Sequence, residues 1–128
     1  MDAKKILIID DDTFLLGIYS VKFQKSGFEV KVAAAGSEAF AILKGGYAPD
    51  IILLDLVMPI LDGFAVYENI KKENLAPLAV TIMLTNQGLS SDIQRAKELG
   101  IQGYIIKATT IPAEVVSEAL DIFAKNTK

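Results

Sequence analysis

Residues 49–63, PDIILLDLVMPILDG, decide how the rest of the chain is read. The run Ile51 to Leu54 has the continuous apolar character of a strand buried on both faces, and it stops abruptly at a carboxylate, Asp55. A charge at the end of a buried strand is costly unless it is paired or used. Met58 and Pro59 follow in a turn, and Asp62-Gly63 supplies a capping acid and a flexible neighbour where a helix should begin.

The pattern repeats on either side. Residues 5–9 read as a short buried strand closed by three acids, Asp10, Asp11 and Asp12. Residues 13–26 carry Leu15, Ile18, Tyr19 and Phe23 near helical spacing, with Gly27 where a C-cap belongs. Residues 29–33 form a second, weaker strand, and Gly36-Ser37 opens a helix through Lys44 that Gly45-Gly46 stops. The central strand, residues 50–54, precedes a helix over 62–74 that Pro77 cannot extend. Residues 79–84 form a fourth strand. Ser91-Asp92-Ile93-Gln94 has the form of a capping box on a helix ending at Gly100. A fifth strand over 103–106 leads through Thr110 and Pro112 into a last helix reaching about Lys125. Short strands alternating with helices predict a doubly wound α/β domain on a parallel sheet.

Composition narrows the chemistry. A chain of 128 residues suits one domain, residues 1–128, without a separate output domain. With 52% hydrophobic residues it can bury a sheet on both faces, yet no apolar run approaches the about 18 residues of a membrane span. The N-terminus, MDAKK, has no apolar signal segment, and the absence of cysteine fits a cytoplasmic protein without disulfides or thiol chemistry. The absence of histidine excludes Ser-His catalysis, histidine-bearing zinc sites and a phosphohistidine on this chain. A net charge of −3, from 13 basic and 16 acidic residues, argues against direct nucleic-acid binding.

In an open parallel sheet, ligands bind beyond the carboxyl ends of the strands. There the chain places Asp10-Asp11 after the first strand, Asp55 after the third, Thr85 after the fourth and Lys107 after the fifth. The second strand ends in Ala33-Ala34-Ala35 and contributes no functional side chain. Asp12 reads as a solvated helix-start residue. Three clustered carboxylates repel one another unless a cation relieves them. A hard ion such as Mg²⁺ suits oxygen ligands, and Lys107 can pair with Asp55 and then with an anion to which Thr85 donates. Metal, ammonium and hydroxyl together would clamp a phosphoryl group around Asp55 as nucleophile.

With Asp10-Asp11 after ILII, Asp55 in LLDLVMPILDG, Thr85 in TIMLT, and Tyr104 and Lys107 in GYIIK, the chain resembles the receiver domain of two-component response regulators over essentially its whole length. The spacings agree too: 45 residues from Asp10 to Asp55, 30 to Thr85 and 22 to Lys107. The resemblance implies a flavodoxin-like fold with strand order 2-1-3-4-5 and five flanking helices. It implies that Asp55 accepts a phosphoryl group from a phosphohistidine on a sensor histidine kinase or phosphotransfer domain. It further implies Mg²⁺ on Asp11, Asp55 and the Val57 carbonyl, with Asp10 acting through a water. Thr85 and Tyr104 would switch the helix4–strand5–helix5 surface for a downstream effector or output domain. On this reading the protein catalyses its own phosphorylation chemistry and is not a turnover enzyme.

The chain departs from the family's pattern at three places. Ala108 stands where a proline usually follows the lysine in a cis peptide. A non-proline cis bond costs about 2.5–4 kcal/mol, so a trans link with an altered loop or a strained exception is expected. Asn86 is larger and more polar than the usual neighbour of the threonine and would narrow the mouth of the site. Val57 and Gln87 border the phosphoryl position, and apolar Val57 should orient water poorly. Phe14 and Leu16 start the first helix on the side where family members dock histidine-bearing helices. The last helix carries more apolar residues (Val115, Val116, Ala119, Leu120, Ile122, Phe123) than one buried stripe needs, which offers a homodimer or effector surface or else extra core.

Three other readings compete. A flavin- or nucleotide-binding module wants backbone N–H groups facing phosphate after the first strand, where Asp10, Asp11 and Asp12 would repel it. A phosphatase of the haloacid dehalogenase type wants a second Asp at the position of Val57. A degenerate receiver acting as a phosphate-independent interaction module would explain Ala108 and Asn86, but not the intact acids, Thr85 and Lys107.

Overall fold

In the computed structural model, which describes residues 4–86, 90–107 and 109–127, strands and helices alternate as the apolar patterning predicts. β1 (Lys5–Ile9), β2 (Glu29–Ala33), β3 (Ile51–Asp55), β4 (Val80–Thr85) and β5 (Gly103–Ile106) pair in parallel in the order β2-β1-β3-β4-β5. The helices are α1 (Thr13–Lys25), α2 (Gly36–Lys44), α3 (Gly63–Lys72), α4 (Ser90–Leu99) and α5 (Pro112–Asn126).

Because successive strand side chains point to opposite faces, the continuous apolar strands feed two cores at once. Leu7, Ile9, Ile52 and Leu54 pack with Ala39, Phe64, Tyr67, Ile70 and Ala96 of α2, α3 and α4. Ile6, Ile8, Ile51 and Leu53 pack with Leu16, Tyr19, Phe23, Val115 and Ala119 of α1 and α5. All eight of these strand residues are at most 1% exposed, and each contributes roughly 1.5–3 kcal/mol of burial. The sheet's central strands are thus the least yielding part of the molecule, and the groups at their ends inherit that rigidity.

The structure corrects several details. β3 runs one residue further than expected and takes in Asp55, while Asp50 sits before it, accepting from the Lys5 N–H at 2.8 Å. β4 likewise takes in Thr85. α4 begins at Ser90, so Ser91 lies within its first turn and is not the cap that the capping-box pattern predicts. A 3-10 turn, Lys107–Thr109, follows β5, and α5 is capped instead at Ile111, whose N–H donates to the Glu114 carboxylate at 3.1 Å. The surplus apolar residues of α5 are core: Val115, Val116 and Ala119 are buried, and Leu120, Ile122 and Phe123 pack against the same cluster. Leu16 is also core at 6% exposure, so Phe14 alone of that pair faces out.

Candidate functional site

Strand register brings the acids together. Ile9 pairs with Leu54, so Asp10 and Asp55 arrive level with each other on adjacent strands. Asp55 pairs with Leu84 and Thr85 with Ile106, which sets Thr85 one step and Lys107 two steps further out along the same edge. β2 contributes only backbone: the Ala33 carbonyl accepts from the Asp10 N–H at 3.0 Å.

The turns after β1 and β3 hold this arrangement. Asp10 is fully buried, and its Oδ1 accepts from the Asp12 N–H at 2.9 Å. Asp12 faces solvent and caps α1, accepting from the Leu15 N–H at 3.1 Å, which is the helix-start role read from its position. After β3 the chain turns back on itself, with the Gly63 N–H donating to the Leu56 carbonyl at 2.8 Å. A Cβ on Gly63 would meet the Asp55 carbonyl oxygen at 2.5 Å and the Leu56 Cα at 2.9 Å, so only glycine permits this approach. Asp62 caps α3 on the Ala65 N–H at 2.9 Å.

Three carboxylate oxygens, one each from Asp10, Asp11 and Asp55, lie within 4.8 Å of one another. The Lys107 ammonium sits between two of them, 2.7 Å from Asp10 Oδ2 and 3.2 Å from Asp55 Oδ1. Asp10 Oδ2 has no further partner among the described residues. Asp11 is exposed, while Asp55 is 3% and Thr85 5% exposed. Among the described residues, Lys107 is the one cation paired with Asp10 and Asp55, both almost fully buried, while Asp11 faces solvent beside them. Burial, and then the Asp10 charge, push the Asp55 carboxyl up from 3.8 to about 7 against the pull of Lys107. Burial works to lower Lys107, but its hydrogen bond to Asp10 and the Asp55 charge outweigh this and raise it. The donor set, all oxygen and short of positive charge, fits a hard divalent cation.

The other predicted residues fall around this pocket. The Val57 side chain is 66% exposed on the β3–α3 turn, and Asn86 is exposed beyond Thr85. Gln87 lies outside the described residues. Tyr104 is half-buried and lines, with Thr85, Met83, Ile93 and Ala96, a small apolar cavity beneath α4. Among the described residues there is no cis peptide, and β5 runs directly into the 3-10 turn Lys107–Thr109; the peptide link expected to be altered at Ala108 lies outside the described residues. Sequence reading missed Ile60, which holds φ at +71° and is completely exposed beside the site. Its position between Pro59 and Asp62 in a tight turn is the only signal, and it does not distinguish which residue takes the left-handed conformation.

Among the described residues, no helix is long and apolar enough to cross a membrane. The sequence profile of the response regulator receiver domain matches residues 6–119. The chain is 39% identical over 107 residues to the probable transcriptional regulator ycf27 of Porphyridium aerugineum, covering 84% of this chain and 43% of that protein. It is 32% identical over 103 residues to the DNA-binding dual master transcriptional regulator RpaA of Synechocystis, covering 80% of this chain and 42% of that one. The chain thus spans about two fifths of these relatives' length. Its fold matches the chemotaxis protein CheY4 of Vibrio cholerae with a TM-score of 0.86 at 26% identity, covering 94% of this chain and 98% of that one. It also matches a CheY-like receiver domain protein from Methanospirillum hungatei with a TM-score of 0.85 at 25% identity, covering 98% and 97%. An acidic pocket at the end of a five-stranded parallel sheet, in a chain matched by this profile along nearly its whole length, makes the protein a member of the response regulator receiver domain family of two-component systems.

Proposed function

We propose that residues 1–128 act as a phosphorylatable receiver in which Asp55 accepts a phosphoryl group from a phosphohistidine on a partner histidine kinase or phosphotransfer domain. The observation that carries this is the Lys107 ammonium held between Asp10 and Asp55 beside a third carboxylate. In the transfer, an Asp55 carboxylate oxygen bonds to phosphorus while the bond from phosphorus to the imidazole nitrogen breaks, and that nitrogen leaves with the electron pair. Lys107 then exchanges its contact with Asp55 for one with the phosphoryl oxygens, and the Thr85 hydroxyl donates to the same group. The Asp55 carboxylate itself is 3% exposed, so it reacts from a site with little bulk water around it.

Asp10, Asp11, Asp55 and the Val57 carbonyl would hold Mg²⁺, which when bound supplies positive charge to the phosphoryl oxygens. The cavity shared by Thr85 and Tyr104 supports a switch in which Thr85 moves toward the phosphoryl group and the Tyr104 ring follows inward. That rearrangement would alter the α4–β5–α5 surface for an effector, an output domain or a second copy. The protein catalyses this chemistry on itself, without turnover of a free substrate, in the cytoplasm. Direct nucleic-acid contact is not part of its role.

The test is incubation with Mg²⁺ and a small acyl phosphate, followed by intact mass measurement and mapping of the adduct. One phosphoryl group on Asp55, lost in Asp55→Ala and absent with chelator, is the expected result. No adduct from either an acyl phosphate or a phosphorylated histidine-domain donor, with Mg²⁺ binding intact, would turn the reading to a phosphate-independent interaction module.

A further inference from the structure

α4 is the helix with the least hold on the rest of the domain: of its ten residues only Ala96 is buried. With half-buried Ile93, Ala96 covers the small apolar cavity that Phe64 of α3, Thr85 and Tyr104 also line. That cavity measures about 10 Å³, room for one water at most and far too little for a phenol ring. An inward Tyr104 ring therefore requires α4 to give way. What α4 lacks in buried apolar contact is supplied by Arg95. Its guanidinium carbon lies 4.5 Å from the centroid of the Phe64 ring, and its Nη2 donates to the Glu68 carboxylate at 3.4 Å. Phe64 and Glu68 are one turn apart on α3, so a single side chain grips both. The Phe64 ring is common to the grip and to the cavity.

We propose that Arg95 is a latch holding α4 closed over the cavity, and that Tyr104 turns inward only as the grip on Phe64 and Glu68 lets go. Resting on the reading of Asp55 as phosphoacceptor and Tyr104 as its switch, this assigns the threshold of that switch to one side chain. Phe64 is 3% exposed, whereas the Arg95 and Glu68 side chains are 55% and 52% exposed. Deep apolar packing would fix α4 in place. An ion pair and a stacked cation half open to water hold it weakly enough for a single phosphoryl group to release. The coupling is reciprocal, so a chain with the latch opened takes up the phosphoryl group more readily.

The full chain made with meta-fluorotyrosine has four fluorine resonances, and Tyr104→Phe identifies the one whose solvent isotope shift reports how far the Tyr104 ring stands in water. Without any donor, Arg95→Ala should raise the inward-ring population about three- to thirtyfold, and Glu68→Gln about two- to fivefold. High salt should act on wild type as Glu68→Gln does and change that variant little. Glu68→Arg combined with Arg95→Glu reverses the pair and should return Tyr104 toward its wild-type position. Gln94→Ala removes a contact to Glu98 made within α4 alone and should leave Tyr104 unchanged, which separates a loosened helix from an opened latch. With Mg²⁺ and an acyl phosphate, Arg95→Ala should gain its Asp55 adduct at least about threefold faster. A Tyr104 resonance indifferent to Arg95→Ala, or moved as far by Gln94→Ala, overturns the proposal. If neither wild type nor variant takes up a phosphoryl group while Arg95→Ala still turns Tyr104 inward, the latch stands and the phosphoacceptor reading falls.

Discussion

Replacing Asp55 with asparagine should make the protein more stable, and increasingly so as the pH rises. The asparagine keeps the shape of the side chain and an acceptor for Lys107 while removing one of three clustered negative charges. In the folded chain the Asp55 carboxyl is raised from 3.8 to about 7, chiefly by burial and by Asp10. Between those values the native protein holds a proton that the unfolded chain has released. Stability therefore falls as pH rises through that window, and the loss is complete above about pH 7. At about 1.4 kcal/mol for each pH unit, the limit is about 4 kcal/mol for a site titrating alone. Lys107 contacts this carboxylate and takes up part of the change, so we expect about 2 kcal/mol at pH 8.5 and well under half of that at pH 5. For a chain of this size that is a rise in Tm of about 4–10 °C at the higher pH. Thermal melts of wild type and Asp55→Asn in chelator at the two pH values measure it. Added Mg²⁺ should raise the wild-type Tm at pH 8.5 more than that of the variant, because only the former keeps the full ligand set. A variant no more stable than wild type at pH 8.5, or a gap that does not change with pH, would refute the electrostatic account of the pocket.

Lys107→Ala leaves Asp10 fully buried without its countercharge and should cost about 3–5 kcal/mol at pH 8, less in mild acid, by urea denaturation; it should also abolish the phosphoryl adduct. Gly63→Ala drives a methyl into the Asp55 carbonyl and Leu56 Cα and should destabilise by about 1–3 kcal/mol in the same assay, with slower phosphorylation as the Asp55 backbone shifts. Val57→Asn places an amide beside the phosphoryl position, where the exposed valine offers attacking water no hydrogen bond. The adduct should then be lost several-fold faster, by about 3–10 times, when followed by intact mass after donor removal.

Much of this arrangement was legible in the residues themselves. Apolar runs of strand length, all but the second ending in a polar residue and each followed by a helical pattern, predict the alternation of β1 to α5. The ends of four of them name Asp10, Asp11, Asp55, Thr85 and Lys107. Boundaries were less legible where a side chain serves two roles. Asp55 and Thr85 still pair in their strands while facing the pocket, and a polar residue at a strand end looks the same whether it is the last rung or the first of the loop.

The order and type of the elements were determined by the sequence, because hydrophobic periodicity and capping residues act over a few neighbouring positions. So was the composition of the pocket, since the strand ends that supply it are local features. What tertiary structure decided depends on contacts between distant segments. Register across β1 and β3 made Asp10 and Asp55 neighbours, and burial of both against one ammonium set the proton affinity of Asp55. Packing of α5 against β5 assigned its surplus apolar residues to the core, while α1, equally apolar, was left with Phe14 and Val21 in solvent. The left-handed backbone at Ile60 is held by the closure of the β3–α3 turn on Gly63 rather than by any preference of isoleucine. Hydrophobic pattern states how much of a helix can be buried; only the packed neighbours determine which side is.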